Sequence, residues 1–522
     1  MNKNKIKLIT SVLVSLVIMT GCTSENDTKT EDIQNKNEIV ISVIDEPQDG
    51  FDATTSDHGS LTNLIFSTLF KRCENLEIEG DLATEYITSE DKLTWTVNLR
   101  EDAVFSDGTK LTAKDVVYSY EQAKSSGSTM DLTILDSVKE VDEYSVEFKL
   151  NKVQSTFIEK MTDIGIVPKE KHNENFANNP IGSGPYKLIQ WDKGQQMIFE
   201  VNENYYEDTA NIKKVTLVFL DVDSAFAAVN SGDVDLAKIS ASLAEQKVEN
   251  TKLYELDSIE TYGVAYPMNK ENNKVTSDRA IREALTIAVD REKLVSGLLG
   301  GYGDISTTGL ENMAWLNEET ILTENYDIEK AKKILDDAGW KDTNNNGVID
   351  KDGIEAEFDL LYTEGIYRQE LALMFEQSAK ELGIDVNINL ETWDTMGDKI
   401  DTSAVVYGWG SADPSQIYSM YSSEVIDNAA VWNNSGKYSN EVVDEYMRLA
   451  LESKDEEEAL KYWKLAQYDG KTGFSSKGDI AYTWLVNVNH LYLANENLDL
   501  GSPSIQPHGG RIFDNISEWS IK

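Results

Sequence analysis

Few residues in this chain combine the right type with the right spacing to do chemistry. Residues 342–350 (DTNNNGVID) place oxygen-bearing side chains at Asp342, Asn344 and Asn346, then Gly347, then an apolar residue at the eighth place. That is the front of a calcium loop, in which alternate side chains turn toward one cation and the glycine permits the sharp bend. The twelfth place should supply a bidentate Glu and holds Gly353. The expectation is therefore an Asn/Gly-rich turn leading into a strand, with no cation assigned. Four histidines occur, His58, His172, His490 and His508, none within five residues of another. No local metal-ligand pair arises from them. His58, His490 and His508 are the candidates for metal contact through the fold, and no metal or other cofactor is assigned. Phosphate-loop, nucleophile-elbow and H-E-x-x-H signatures are all absent, so no enzyme is expected.

A further reactive residue stands near the start. Lys3, Lys5 and Lys7 precede an apolar run over 9–19, which ends at Thr20-Gly21-Cys22. The run is too short to span a bilayer comfortably, and its position marks a cleavable export signal, residues 1–21. Ending on Gly-Cys, it resembles a lipobox with Met19 in the place of the usual Leu, Val or Ile, and Cys22 is expected to be acylated and to become the first mature residue. The expected location is the outer face of the cytoplasmic membrane, lipid-anchored, on the periplasmic side if the cell has an outer membrane. One acyl chain anchors only marginally, and two or more hold stably.

These residues must be carried by a large body. The chain has 522 residues, 40% of them hydrophobic, and no second long apolar stretch, enough for two or three domains. With 92 acidic against 48 basic residues, its surface repels nucleic acid and anionic lipid. Cys22 and Cys73 are the only cysteines, so there is no disulfide framework, and Cys73 is expected to be a buried spectator. Residues 22–37 are polar and aperiodic, a flexible tether. From Glu38 onward, strand-like and helix-like segments alternate, which argues for an α/β fold. Thr112 to Asp115 has the form of a capping box with Asp in the place of Glu, opening an amphipathic helix. Ile281, Ala284, Leu285, Ala288 and Val289 predict a helix over 278–290 with one packed face, and 328–338 predicts another closed by Gly339.

Several stretches in order resemble the bacterial extracellular solute-binding proteins of family 5, the peptide-, nickel- and opine-binding receptors of ABC importers. Residues 81–85 (DLATE) with 93–100 (LTWTVNLR) resemble that family's strand pair, and 105–119 (FSDGTKLTAKDVVYS) its hallmark segment. Then follow 181–186 (IGSGPY), 202–206 (NENYY), 232–235 (GDVD), 282–291 (REALTIAVDR) and 338–340 (AGW). The resemblance implies a two-lobe, type II periplasmic-binding-protein-like α/β fold with a third domain inserted near the N-terminus. Lobe I would take 38–80, 181–266 and 487–522, the inserted domain 81–180, and lobe II 267–486. Hinges are expected near Tyr266-Pro267 and Val486-Asn487. Closure of such lobes requires a ligand that touches both.

The resemblance also implies where a solute would sit, on a segment that begins with Trp after a buried strand, here 405–414 (VVYGWGSADP). Trp409 would form an apolar wall, Ser411 lies beside it, and Asp413 would offer a carboxylate to a cation. Peptide receptors often carry W-x-x-D, and nickel-chelate receptors W-G-x-x-x-D-P. This chain has its Asp at the fourth place after Trp409, between the two patterns. Tyr407, Tyr418, Tyr262 and Tyr266 are candidates to stack on or hydrogen-bond the ligand, and Arg368 to hold a carboxylate bidentately. The function so implied is a membrane-anchored, monomeric receptor that delivers short peptides or peptide-like solutes to an ABC permease. A nickel or metal-chelate receptor is the alternative on the same scaffold, with an extracellular sensor or enzyme as the alternative of another class.

Overall fold

The computed structural model describes residues 37–522 apart from 45, 48–49, 56–60, 127–130, 324–325 and 429–432. Cys22, the export signal, the tether up to residue 36 and His58 lie outside the described residues. Among the described residues no helix is long and apolar enough to cross a membrane.

Two mixed sheets and one antiparallel sheet organise the chain. The first has seven strands in the order 251–256, 490–495, 236–239, 38–43, 214–219, 196–201 and 186–192. Its first strand in the chain, Glu38–Val43, runs parallel to both its neighbours. The second has six strands in the order 303–305, 482–488, 261–265, 404–409, 357–362 and 385–390. The third has four, Ala83–Thr88, Thr94–Leu99, Ser145–Leu150 and Leu135–Asp142. Thr94–Leu99 buries Trp95, Val97 and Leu99 while Thr94, Thr96 and Asn98 are less covered, the two-residue alternation of a one-faced strand. Helix Ala113–Ser125 packs on this sheet through Val116, Tyr120 and Ala123.

The segments singled out for their resemblance are mostly scaffold. The capping box forms as expected, with Asp in the role of Glu. Thr112 N donates to Asp115 Oδ2 at 3.0 Å, and the other carboxylate oxygen accepts from Lys169 N at 3.0 Å. Gly184 N donates to Ile65 O at 2.8 Å, and a Cβ on Gly182 would stand 1.9 Å from that same oxygen; two backbones touch there, so no side chain fits. Helix Arg279–Ala288 buries Ile281, Ala284, Leu285 and Ala288 and is capped by Asp278. Arg282 and Arg291 are buried at its two ends and spend their donors on carbonyls. Arg282 reaches Thr276 O at 2.7 Å and Ile480 O at 2.9 Å, and Arg291 reaches Trp484 O at 2.8 Å and Thr286 O at 3.0 Å. Burial pushes both guanidinium groups down to about 10. Helix Ile328–Asp337 ends ahead of Gly339 at φ +92°, the expected stop. Cys73 is half-buried in a turn rather than enclosed, its Sγ 2.8 Å from Asn75 Oδ1.

The passage between the two large sheets differs from expectation. Thr261–Ala265 belongs to the six-stranded sheet, paired with 404–409 and 482–488. The chain therefore crosses at 257–260, ahead of Tyr266-Pro267. It returns at Asn489, between Tyr482–Val488 in one sheet and His490–Asn495 in the other, just past Val486-Asn487. All five residues of Thr261–Ala265 are buried, so they show no alternation to reveal their sheet, and Pro267 marks the end of the strand instead of the crossing. A third segment joins these two. Ile259 N donates to Gln506 O at 2.9 Å, Gln506 N to Asp257 O at 2.8 Å, and Val488 N to Glu260 O at 3.0 Å.

Candidate ligand-binding site

Strand Ala404–Trp409 is buried through Tyr407, then half-opens at Gly408 and Trp409 where the sheet ends against the crossing. Backbones approach closely here: a Cβ on Gly408 would lie 2.9 Å from the His508 ring, and one on Gly410 2.5 Å from Ile259 O. The Tyr407 ring stacks 6.3 Å from Trp393 at 14° and lies 5.6 Å from Trp409 at 46°. Together they form an aromatic shelf. Helix Arg368–Glu381 brings Arg368 onto it, with the guanidinium 5.3 Å over the Trp393 ring. Arg368 Nη1 is held by Thr363 Oγ1 and Glu364 O, each at 2.9 Å, whereas the buried Nε has no hydrogen-bond partner. A fixed, incompletely used guanidinium over an aromatic face suits a planar anion such as a carboxylate.

Asp413 is already engaged. It accepts from Ser415 N at 2.7 Å and from the Ser415 hydroxyl, at the start of helix Ser415–Tyr421. Its Oδ2 also lies 3.6 Å from Lys160 Nζ, with both side chains largely buried. Ser411 supports the same loop, its hydroxyl accepting from Asp413 N at 3.0 Å and its N–H donating to Gln416 Oε1 at 3.1 Å. Tyr418 donates to Glu424 Oε2 at 2.7 Å. Tyr266 is placed in the core, sharing a 2.6 Å hydrogen bond with Thr483 beside Phe375; it supports the sheet and does not line the shelf.

Tyr262 leads to a residue the sequence reading passed over. Its hydroxyl donates to Glu260 Oε1 at 2.7 Å, and the same oxygen meets His508 Nδ1 at 3.0 Å. The other oxygen of Glu260 meets His490 Nε2 at 2.6 Å. Glu260 and His490 are buried, while His508 is partly open. Burial alone would push the Glu260 carboxyl up, but the charge and hydrogen bonds of His508 and His490 outweigh it and hold the carboxyl well below the usual range. The His490 imidazole is pushed down by burial and by Lys238, with Glu260 pulling the other way. A half-open space of about 30 Å³ lies beside Glu260, between Lys238 of strand 236–239 and Tyr367 just ahead of helix Arg368–Glu381. Tyr367 bridges it, its hydroxyl accepting from Ala241 N at 3.1 Å. Nothing in the sequence around Glu260, which follows Glu255, Asp257 and Ser258 within five places, marks it out.

Among the described residues no group of three His, Cys, Asp or Glu side chains is arranged to hold a metal ion. His490 and His508 converge on a carboxylate rather than on a shared point. The 342–350 loop is a turn, as expected: Asp342 accepts from Asn346 N at 3.2 Å and Gly347 N at 3.0 Å, and Asp350 accepts from Thr343.

The profile of "Bacterial extracellular solute-binding proteins, family 5 Middle" matches residues 77–429, a span holding the four-stranded sheet, Lys160 and the aromatic shelf. The chain belongs to this family. As a family 5 solute-binding protein it has the two-lobe α/β fold of its structural neighbours. It is 29% identical over 560 residues to the oligopeptide-binding protein AppA of Bacillus subtilis (strain 168), covering 99% of this chain and 98% of AppA. The structure of that AppA in complex with a nonapeptide matches with a TM-score of 0.78 and 26% identity, over 94% of this chain and 99% of AppA. NikZ from Campylobacter jejuni in complex with Ni(L-His) matches with a TM-score of 0.82 and 26% identity, over 93% of this chain and 99% of NikZ. For this family 5 receptor, the half-open end of strand Ala404–Trp409, facing the three crossing segments, is the candidate ligand site.

Proposed function

We propose that this chain is a lipid-anchored receptor of an ABC importer that captures short peptides or peptide-like solutes between its two large sheets. The observation that carries this reading is the aromatic shelf of Trp393, Tyr407 and Trp409 with the Arg368 guanidinium over it. A flat apolar wall covers peptide planes of any sequence, and a guanidinium grips a terminal or side-chain carboxylate. The likeness to an oligopeptide-binding protein along nearly its whole length supports the peptide class. The segments crossing at 257–260, 488–490 and 506–508 serve as the hinge between one lobe of 38–80, 181–256 and 490–522 and another of 261–488. The inserted domain is 81–180. The space of about 30 Å³ at the hinge holds no more than a water-sized group, so a solute enters by parting of the lobes. Cys22 carries the anchor, and residues 22–37 the tether. The receptor works as a monomer.

A metal-chelate receptor is the second reading. It rests on the likeness to NikZ, whose structure holds Ni(L-His). Native mass spectrometry with metal analysis on protein purified without its signal separates the two. Peptide reading predicts a retained mass that fragments as amino acids. Stoichiometric nickel, alone or with a small chelator, would replace it with the second reading.

A further inference from the structure

Asp413 follows Trp409 of the shelf by four places, and its partner comes from a distant part of the chain. Lys160 closes the short helix Phe157–Lys160 beyond the four-stranded sheet. The same segment is docked onto the end of helix Glu441–Glu452, where Ser155 N donates to Leu451 O at 2.7 Å and Ser155 Oγ to Ala450 O at 2.9 Å. Lys160 is thereby delivered to a nest of acids. Asp413 lies 3.6 Å from its ammonium, and Asp163 and Asp131 add their fields. The neighbouring Glu159 does not compete for it, being bound by Arg72. On the other side Asp413 is satisfied by the N–H and hydroxyl of Ser415. Its charge and hydrogen-bonding capacity are thus met from within the protein.

We propose that Lys160 is a built-in ammonium that fills the cation subsite at Asp413, so that this receptor selects solutes presenting no free primary amine at that end. The proposal deepens the reading of the shelf as the solute site and rests on it. An incoming amine has to displace one already tethered to the same protein, whose effective concentration is in the ~mM range or above. A solute with an acylated amino end, or one bound through an internal stretch of chain, meets no such competitor. It lays its backbone on Trp409 and directs its carboxylate to Arg368. Lys160 is on this account a specificity-determining residue, and Asp413 serves to hold it.

Chemical rescue tests the built-in ammonium without knowledge of the natural solute. K160A should melt at a lower temperature than the wild-type chain and regain part of the loss in ethylammonium chloride, but not in equimolar tetramethylammonium chloride. The wild-type melting temperature should respond to neither salt, and K160A/D413N should not be rescued. Absence of rescue, or rescue that persists in the double variant, overturns the proposal. Should K160A fail to fold, K160M keeps the aliphatic packing and leaves the ammonium gap for a smaller probe, methylammonium. A second arm titrates trialanine and N-acetyltrialanine by calorimetry. The wild-type chain should bind the acetylated peptide at least as well, and K160A should shift the ratio toward the free amine by about tenfold. A wild-type preference for the free amine overturns the proposal. Failure of both peptides to bind either protein counts against the peptide reading alone, since the rescue experiment still decides the role of Lys160.

Discussion

Two buried carboxylates, Glu260 and Asp413, are satisfied in different ways. Glu260 sits in the crossing itself, and its three side-chain donors come from the segments that cross with it: Tyr262, His490 and His508. Asp413 lies at the end of the shelf, and its cation arrives from beyond the four-stranded sheet, on a segment docked by two hydrogen bonds from Ser155. On the proposed parting of the sheets, the donors of Glu260 would travel with the crossing segments. Lys160 stays with Asp413 only while its segment remains docked. A carboxylate paired within one structural element serves to hold shape, while one paired across elements can report on whether they are together.

The sharpest way to break this comparison is Glu260→Leu. It strips one acceptor from two imidazoles and a buried phenol, so a loss of about 3–5 kcal/mol of unfolding free energy is expected in urea titration. A loss below about 1 kcal/mol, the typical value of an exposed pair, would remove Glu260 from its central place in the hinge. Next in size is Arg368→Lys. The lysine keeps the charge but loses the planar fork, and affinity for the solute found by mass spectrometry should weaken by about 1.5–3 kcal/mol with little change in stability. Unchanged affinity moves the carboxylate grip elsewhere. Lys160→Met should cost about 1–2 kcal/mol, between the values for exposed and enclosed pairs. Asp413→Asn should add little on top of it, because the two act as one unit; full additivity in the double-mutant cycle would separate them.

The smallest expected effect is a pH dependence of the hinge. Burial and the charge of Lys238 hold His490 below its ordinary 6.5 in the fold. Between that lowered value and 6.5 the unfolded chain binds more protons than the folded one. The site's contribution to stability is therefore whole above 6.5 and lost as pH falls through the window. Asp81, which burial pushes up to about 6, gives a slope of opposite sign above its ordinary 3.8. The readout is accordingly the difference between wild type and His490→Gln across about pH 5 to 7, where the variant should show the shallower fall. Parallel curves would mean that His490 titrates alike in the folded and unfolded chain.

Much of the scaffold was legible because it is written in short spans. The alternation in Thr94–Leu99, the helix face from Ile281 to Ala288, the Thr112–Asp115 box and the stop at Gly339 each depend on residues within a few places of one another. The Trp409 segment is proposed as the site through its resemblance to a family, and Arg368 through its residue type. Tyr266 illustrates the limit. An aromatic at the end of a buried strand is a reasonable ligand contact until the packing turns its hydroxyl to Thr483. The crossing was misplaced for a related reason, since a strand buried on both faces carries no mark of which sheet will take it.

By itself the sequence determined the alternating α/β elements, their caps and turns, the ordered motifs of a solute-binding scaffold and a strongly acidic composition. Tertiary structure alone decided which charges meet. His490 and His508 lie 230 and 248 residues from Glu260 along the chain, and Lys160 reaches Asp413 only because Ser155 docks its segment on another helix. Periodicity and capping are properties of neighbouring residues and survive in any sequence window. A long-range pair depends on the register and packing of every element between its members, and no local pattern encodes that sum.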